Sequence, residues 1–179
     1  MARRKKPYRP NPPLTLLLAW LIPGAGHVCI GRPLRGVIIF LVICATFWAG
    51  VGIGGVMTVD PRAAGAERWW FVSEMLAGVH GIVGWQRQER VYRKVTSDLP
   101  DSIGPFNRAE AESRRVYAVN KALADKGLAL VYPTDVVARA YAGIAGLLNL
   151  LCMFDATALA MMGTFGEPSR KRKTGTEEG

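Results

Sequence analysis

The sequence predicts an all-α protein. It reads as an integral membrane helical bundle of about four membrane helices, with a small soluble helical segment between the third and fourth. Three observations carry this. Half of the 179 residues are hydrophobic. The apolar residues gather into four runs, Leu14 to Ile30, Gly36 to Met57, Trp69 to Trp85 and Val136 to Ala156. The second run holds no charged residue across 22 positions, enough to cross a hydrocarbon core of about 30 Å at about 1.5 Å per residue. One such run could be the buried helix of a soluble core, but four in so short a chain leave too little polar surface.

Residues 1–13 are basic and proline-rich, with Pro7, Pro10, Pro12 and Pro13, and are expected to be a disordered tail. Arg3, Arg4, Lys5 and Lys6 ahead of Leu14 to Ile22 have the layout of a signal peptide. Apolar character resumes at Gly36 without a small-x-small site and a polar mature start, so the run is kept in the bundle. The first helix starts near Leu14 and must kink or stop at Pro23, which cannot donate its backbone amide and crowds the preceding turn. Gly24 and Gly26 loosen the chain further, so Pro23, Gly24 and Gly26 form the predicted hinge. Arg32 and Pro33 mark the next turn, and a second helix runs to about Met57, completing a helical membrane hairpin over 14–57.

That helix ends in "AGVGIGGV". Gly50, Gly52 and Gly55 match G-x-G-x-x-G formally, but a dinucleotide site needs that pattern between a strand and a helix. Gly50 and Gly54, four apart, read as a smooth face for close helix contact. After a polar connector at 58–68, a third helix begins at Trp69 and continues past Trp85 through "QRQERVYRKV", covering 69–96. Tryptophans at both ends suit the two membrane interfaces.

The segment 97–134 is predicted as a soluble loop and helix. "SDLPDSIGPFN" is the loop. Asn107 and Glu110 form a capping box, and Gly127 stops a helix from Arg108 to about Lys126. Val116, Val119 and Leu123 give it an apolar stripe able to dock. Thr134 or Asp135 caps the C-terminal membrane helix of 135–163, and 164–179 is a charged tail expected to be disordered.

The net charge of +9 lies mainly in flanks and loops. Such clusters attract anionic lipid headgroups, and no stacking aromatics accompany them, so the predicted partner is the lipid bilayer and not nucleic acid. Small-residue helix faces point to protein partners or a homo-oligomer. Cys29, Cys44 and Cys152 lie in apolar runs without metal-like spacing. A zinc site would need both histidines plus ligands from Cys29, Glu74 or Asp155, which the spacing does not support. No catalytic motif, cofactor or metal is predicted.

The candidate functional polar residues are His27, Arg32, Arg35, Glu74, His80, Asn149 and Asp155. On a continuous third helix Ser73, His80 and Arg87, spaced by seven, lie near one face with Glu74 beside it. Such a stripe is either an ion or proton path titrating through Glu74 and His80, or helix–helix hydrogen bonding. Asn149 and Asp155 lie about 120° apart on their helix, so they form no site there alone. Asn149 reads as interhelical glue. Asp155 either reaches interfacial water or pairs with a cation of another helix. Arg139 snorkels or pairs with Asp135. His27 either satisfies a carbonyl exposed by the kink or titrates.

"PGAGHVCIGRPLRGVIIF" resembles a recurrent bacterial membrane hairpin found in proteins of the two-transmembrane-domain type. The matching positions are Pro23, Gly24, Gly26, His27, Gly31, Arg32, Arg35 and Gly36. The chain departs from that pattern at Val28 and Cys29, where the family has an aromatic pair. "AGIAGLLNLLCMFDA" is similar to a pattern from an uncharacterised bacterial integral membrane family that joins such a hairpin to an AGLLN…DA helix. The resemblance implies a multi-pass protein of the bacterial inner membrane and brings no established activity.

With four spans, positive charge divides evenly between the two sides. If the first segment dips in and returns at its hinge, the N-tail, the 31–35 corner and 86–134 share the positive, cytoplasmic side. The expected function is a non-enzymatic scaffold, assembly or interaction protein. The alternative is a small ion or proton conductor using Glu74, His80, Asn149 and Asp155.

Overall fold

The computed structural model describes residues 11–61, 68–97, 108–128 and 134–166. The N-tail to residue 10, the Asn107 capping box and the tail from residue 167 lie outside them. So do most of the polar connector and the 98–107 loop. All regular structure among the described residues is helical. The helices are α1 (Pro12–Leu21), α2 (Ala25–Cys29), α3 (Pro33–Gly54), α4 (Arg68–Met75), α5 (Val79–Ser97), α6 (Arg108–Asp125) and α7 (Thr134–Met161), with a 3-10 turn at Gly55–Thr58 after α3.

Two helices are long and apolar enough to cross a membrane, α3 and the Val136–Met161 part of α7. They pack antiparallel. A methyl on Gly50 of α3 would sit 2.6 Å from the Ala138 carbonyl oxygen of α7, so the two backbones touch directly, as the four-residue glycine spacing predicts. At the other end of α3, Arg35 reaches Asp155, near the end of α7. The α7 face turned inward is built from Ala138, Ala142, Ala145, Asn149 and Ala156, all fully buried. These short side chains let α7 act as the central post, touching α1, α2, α3 and α4.

The first and third expected membrane helices are each broken in two. α1 ends at Leu21 because Pro23 has no amide to offer and Gly24 adopts φ +83°, a left-handed conformation that a side chain resists. The chain then reverses. Gly26 in α2 lies against Thr15 and Ala19 of α1 and Ala156 of α7, while Trp20 is level with Asn149. α1 therefore runs antiparallel to α7 for about half its length, and α2 brings the chain back to the end where α1 began. Gly31 (φ +80°) and Pro33 complete the corner into α3.

The third segment was expected to be continuous across Trp69 to Trp85. It stops at Met75 instead. Leu76, Ala77 and Gly78 donate to Ser73, Glu74 and Met75, three i→i−3 bonds that tighten the last turn, and Gly78 at φ +64° turns the chain out of the helix. α4 runs parallel to α7, with Trp70 at Gly143, Ser73 at Gly146 and Leu76 at Asn149. α5 then heads back the other way. His80 meets Trp48, Gly84 meets Phe47 and Val59, and Gln88 meets Asp60 beyond the end of α3. The seven-residue spacing of Ser73, His80 and Arg87 therefore marks no common face, because the helix that would align them does not exist.

Two helical hairpins thus enter the bundle from opposite ends, α1–α2 from one and α4–α5 from the other, and their tips meet. The core beside them gathers Ile43, Phe47, Val51, Val59, Ala77, Ala142 and Ala145. A second small cluster joins Val95 of α5 to Val119 and Leu123 of α6, so the stripe on the soluble helix docks on the extension of the third segment. α6 ends as expected, with Gly127 left-handed just after it.

Candidate functional site: a polar joint at mid-bundle and its two neighbours

The joint is Asn149. Its Nδ2 donates to the Trp20 carbonyl at 3.3 Å and to the Leu76 carbonyl at 2.9 Å. Both acceptors belong to broken helix ends. The last carbonyls of a helix have no partner within it, and here the chain turns away before the next amides arrive. Two carbonyls accept only, so the amide must present its NH2 to them. One fully buried side chain of α7 therefore satisfies the C-terminal ends of α1 and α4 together. The hairpins can come this close because residue 78 is glycine: a Cβ there would collide with the carbonyl oxygen of Trp20.

At one end of the bundle, His27 and Asp155 come together. Nε2 of His27 lies 2.9 Å from Oδ2 of Asp155. Arg35 approaches the same oxygen at 3.5 Å. His27 is buried, whereas the Asp155 side chain is 49% exposed. Arg32 turns aside and donates from Nε to the Gly166 carbonyl at 2.9 Å, and the Gly166 amide donates to the Ile30 carbonyl. The predicted corner residues His27, Arg32 and Arg35 thus hold the end of α7 and the strand of chain that follows it. Of the alternatives foreseen for His27, the backbone-carbonyl partner is not what the structure shows: its partner is a carboxylate from the far end of the sequence.

Toward the other end lies Glu74, 1% exposed, with neither carboxyl oxygen hydrogen-bonded. Arg139 of α7 and Asp60 lie close enough to act on it electrostatically. Asp60 accepts from Gln88 Nε2 at 3.3 Å, and Gln88 is itself fully buried. The pairing of Arg139 with Asp135 involves a side chain outside the described residues. His80 stands apart from Glu74's carboxyl chemistry. Trp48 Nε1 donates to its Nδ1 at 3.3 Å, and the rings of Phe40 and Phe47 lie 5.5 and 6.1 Å away.

The seven candidate polar residues therefore fall into separate groups. His27, Arg35 and Asp155 meet, with Arg32 beside them. Asn149 is alone between the hairpin tips. Glu74 and His80 sit on opposite arms of one hairpin with different neighbours. Among the described residues, no three His, Cys, Asp or Glu side chains gather as metal ligands. Cys29, Cys44 and Cys152 are free thiols. Sequence reasoning missed Asp60, Gln88 and the Trp20 and Leu76 carbonyls. Backbone acceptors leave no trace in residue identity, and Gln88 looks like any polar residue past Trp85.

No curated protein and no solved structure matches the chain. A family model does, over residues 14–169, which takes in both hairpins, α3, α6 and α7. The chain belongs to the family of unknown function DUF6677.

Proposed function

We propose that this is a membrane-embedded, non-enzymatic scaffold or interaction protein of the bacterial inner membrane, with two spans, α3 and α7, and two hairpins dipping in from opposite faces. The distribution of side chains supports embedding. Outward faces are apolar, as at Leu34, Leu41, Leu147, Leu151 and Phe154, while His27, Glu74, Gln88 and Asn149 are inside. A water-soluble fold would invert this. Broken helices at membrane depth are tolerated where protein covers the freed backbone, which is the service Asn149 performs.

The observation that carries the scaffold reading is the double bond from Asn149 to the two hairpin tips. The Asn149 NH2 is spent on holding structure, and the tips close against each other at Gly78 and Trp20. The α5–α6 arm then offers the surface for partner proteins, and the basic ends contact anionic headgroups. Affinity capture of the full chain from crosslinked membranes tests this. Recovery of a stoichiometric partner, lost when the α6 surface is altered but kept when Glu74 is replaced, is the expected result. A chain with no partner, whose activity depends on Glu74, would sink the reading.

The alternative is a small ion or proton conductor, and Glu74 is the observation that favours it. That carboxyl is the one candidate acid whose oxygens serve no structural bond.

A further inference from the structure

Glu74 sits at the end of α4, one turn before the break, fully inside the bundle and with both carboxyl oxygens lacking a hydrogen bond. Buried acceptors without donors are rare, and a buried charge persists only when compensated. Among the described residues, two charged groups act on it. From α7 comes Arg139, and from the segment after α3 comes Asp60, both within electrostatic reach. On α5, His80 is engaged by Trp48, and Gln88 holds Asp60. The α3 stretch from Gly36 to Gly54 and α1 contribute no charged residue. Gln88 Oε1 is a further buried acceptor without a partner. Among the described residues, the unpartnered buried acceptors thus include both Glu74 oxygens and Gln88 Oε1, and Arg139 is the cation that acts on Glu74.

We infer that Glu74 is the centre of a binding site for a small hard cation, H+ or Na+. This rests on the membrane reading above and deepens its conductor alternative. Oxygen acceptors suit both ions. A proton needs a single carboxyl oxygen. A sodium ion needs several oxygens, for which Asp60 and Gln88 offer side-chain sources. The site lies in the hairpin arm just below the Gly78 turn, so the ion occupies the element whose tip Asn149 holds.

The test uses the full chain in liposomes and dicyclohexylcarbodiimide, an apolar reagent that couples to protonated carboxyls within membranes. Peptide mass analysis reads the label. Glu74 is expected to be labelled in the folded protein, and Glu74→Gln should lose at least about nine-tenths of the label while keeping the wild-type melting profile. Protection by added Na+ identifies sodium as the ligand. Labelling indifferent to Na+ and lost as pH rises identifies the proton. Labelling that appears only after unfolding in SDS, or that responds to neither Na+ nor pH, overturns the proposal. The membrane reading fails separately, if alkaline carbonate strips the protein from membranes.

Discussion

Asp155 Oδ2 lies 2.9 Å from Nε2 of His27, closing a loop of 128 residues. The contact fastens the end of the last helix to the short helix that follows the first break. With Asp155 about half exposed, solvent screens part of the attraction, so a double-mutant cycle of His27→Ala and Asp155→Ala should give a coupling of about 1 kcal/mol in detergent unfolding. Strictly additive effects would show that the pair contributes position without energy. Arg35→Ala, at 3.5 Å and on the surface, should cost less than either.

Replacing Asn149 by Leu removes both bonds to the hairpin tips and leaves two buried carbonyls without donors. Interhelical hydrogen bonds in membranes are worth about 1–2 kcal/mol, and stranding a buried acceptor adds a comparable penalty. The expected loss is about 2 kcal/mol, read as a lower unfolding midpoint in mixed micelles. Unchanged stability would mean that the tips hold without it.

Glycines at similar sequence positions should respond in opposite ways. Gly78 has φ +64° and faces the Trp20 carbonyl, so Gly78→Ala suffers both backbone strain and a collision, and folded yield should collapse. Gly52 has open space around its missing side chain and helical backbone. Gly52→Ala should be neutral or raise stability by up to about 1 kcal/mol. Equal effects at the two sites in a melting experiment would contradict the described packing.

Topology follows from the hairpins. Asn11 and Gly166 lie at one end of the bundle, and Ser97 and Lys126 at the other. Single cysteines at these four positions, on a chain with Cys29, Cys44 and Cys152 replaced by Ala, should react with an impermeant maleimide in two pairs. Asn11→Cys and Gly166→Cys label from one side of the membrane, Ser97→Cys and Lys126→Cys from the other. An Asn11 label shared with Ser97 would restore the third segment as a full span.

The helical class, the long helices α3 and α7 and the break at Pro23 are legible in the sequence because each rests on local chemistry: uncharged length, or a residue that cannot donate. The close Gly50 contact is legible for the same reason, as is the docking stripe of α6. The second break is not. A glycine inside an apolar helix is ordinarily tolerated at a modest cost, and nothing at Ala77-Gly78 announces a left-handed turn. What makes glycine necessary at the turn is the Trp20 carbonyl of a different hairpin, a long-range contact. Asn149 could be recognised as glue between helices, but its acceptors are backbone atoms, invisible to any reading of side chains. With the third segment broken, Ser97 lies at the opposite end of the bundle from Asn11, an arrangement the charge arithmetic does not anticipate.

The central post is also made after the other described helices. While residues 12–97 leave the ribosome, α1 and α4 already have their ends exposed, and the donor for both lies more than fifty residues beyond α5. Until Asn149 emerges, the nascent chain holds two hairpins whose helix ends lack this donor. Chains cut short before residue 149 should therefore be cleared by quality-control proteases while those ending after Gly166 persist. The order in which the chain is written makes α7 the checkpoint for the helices before it.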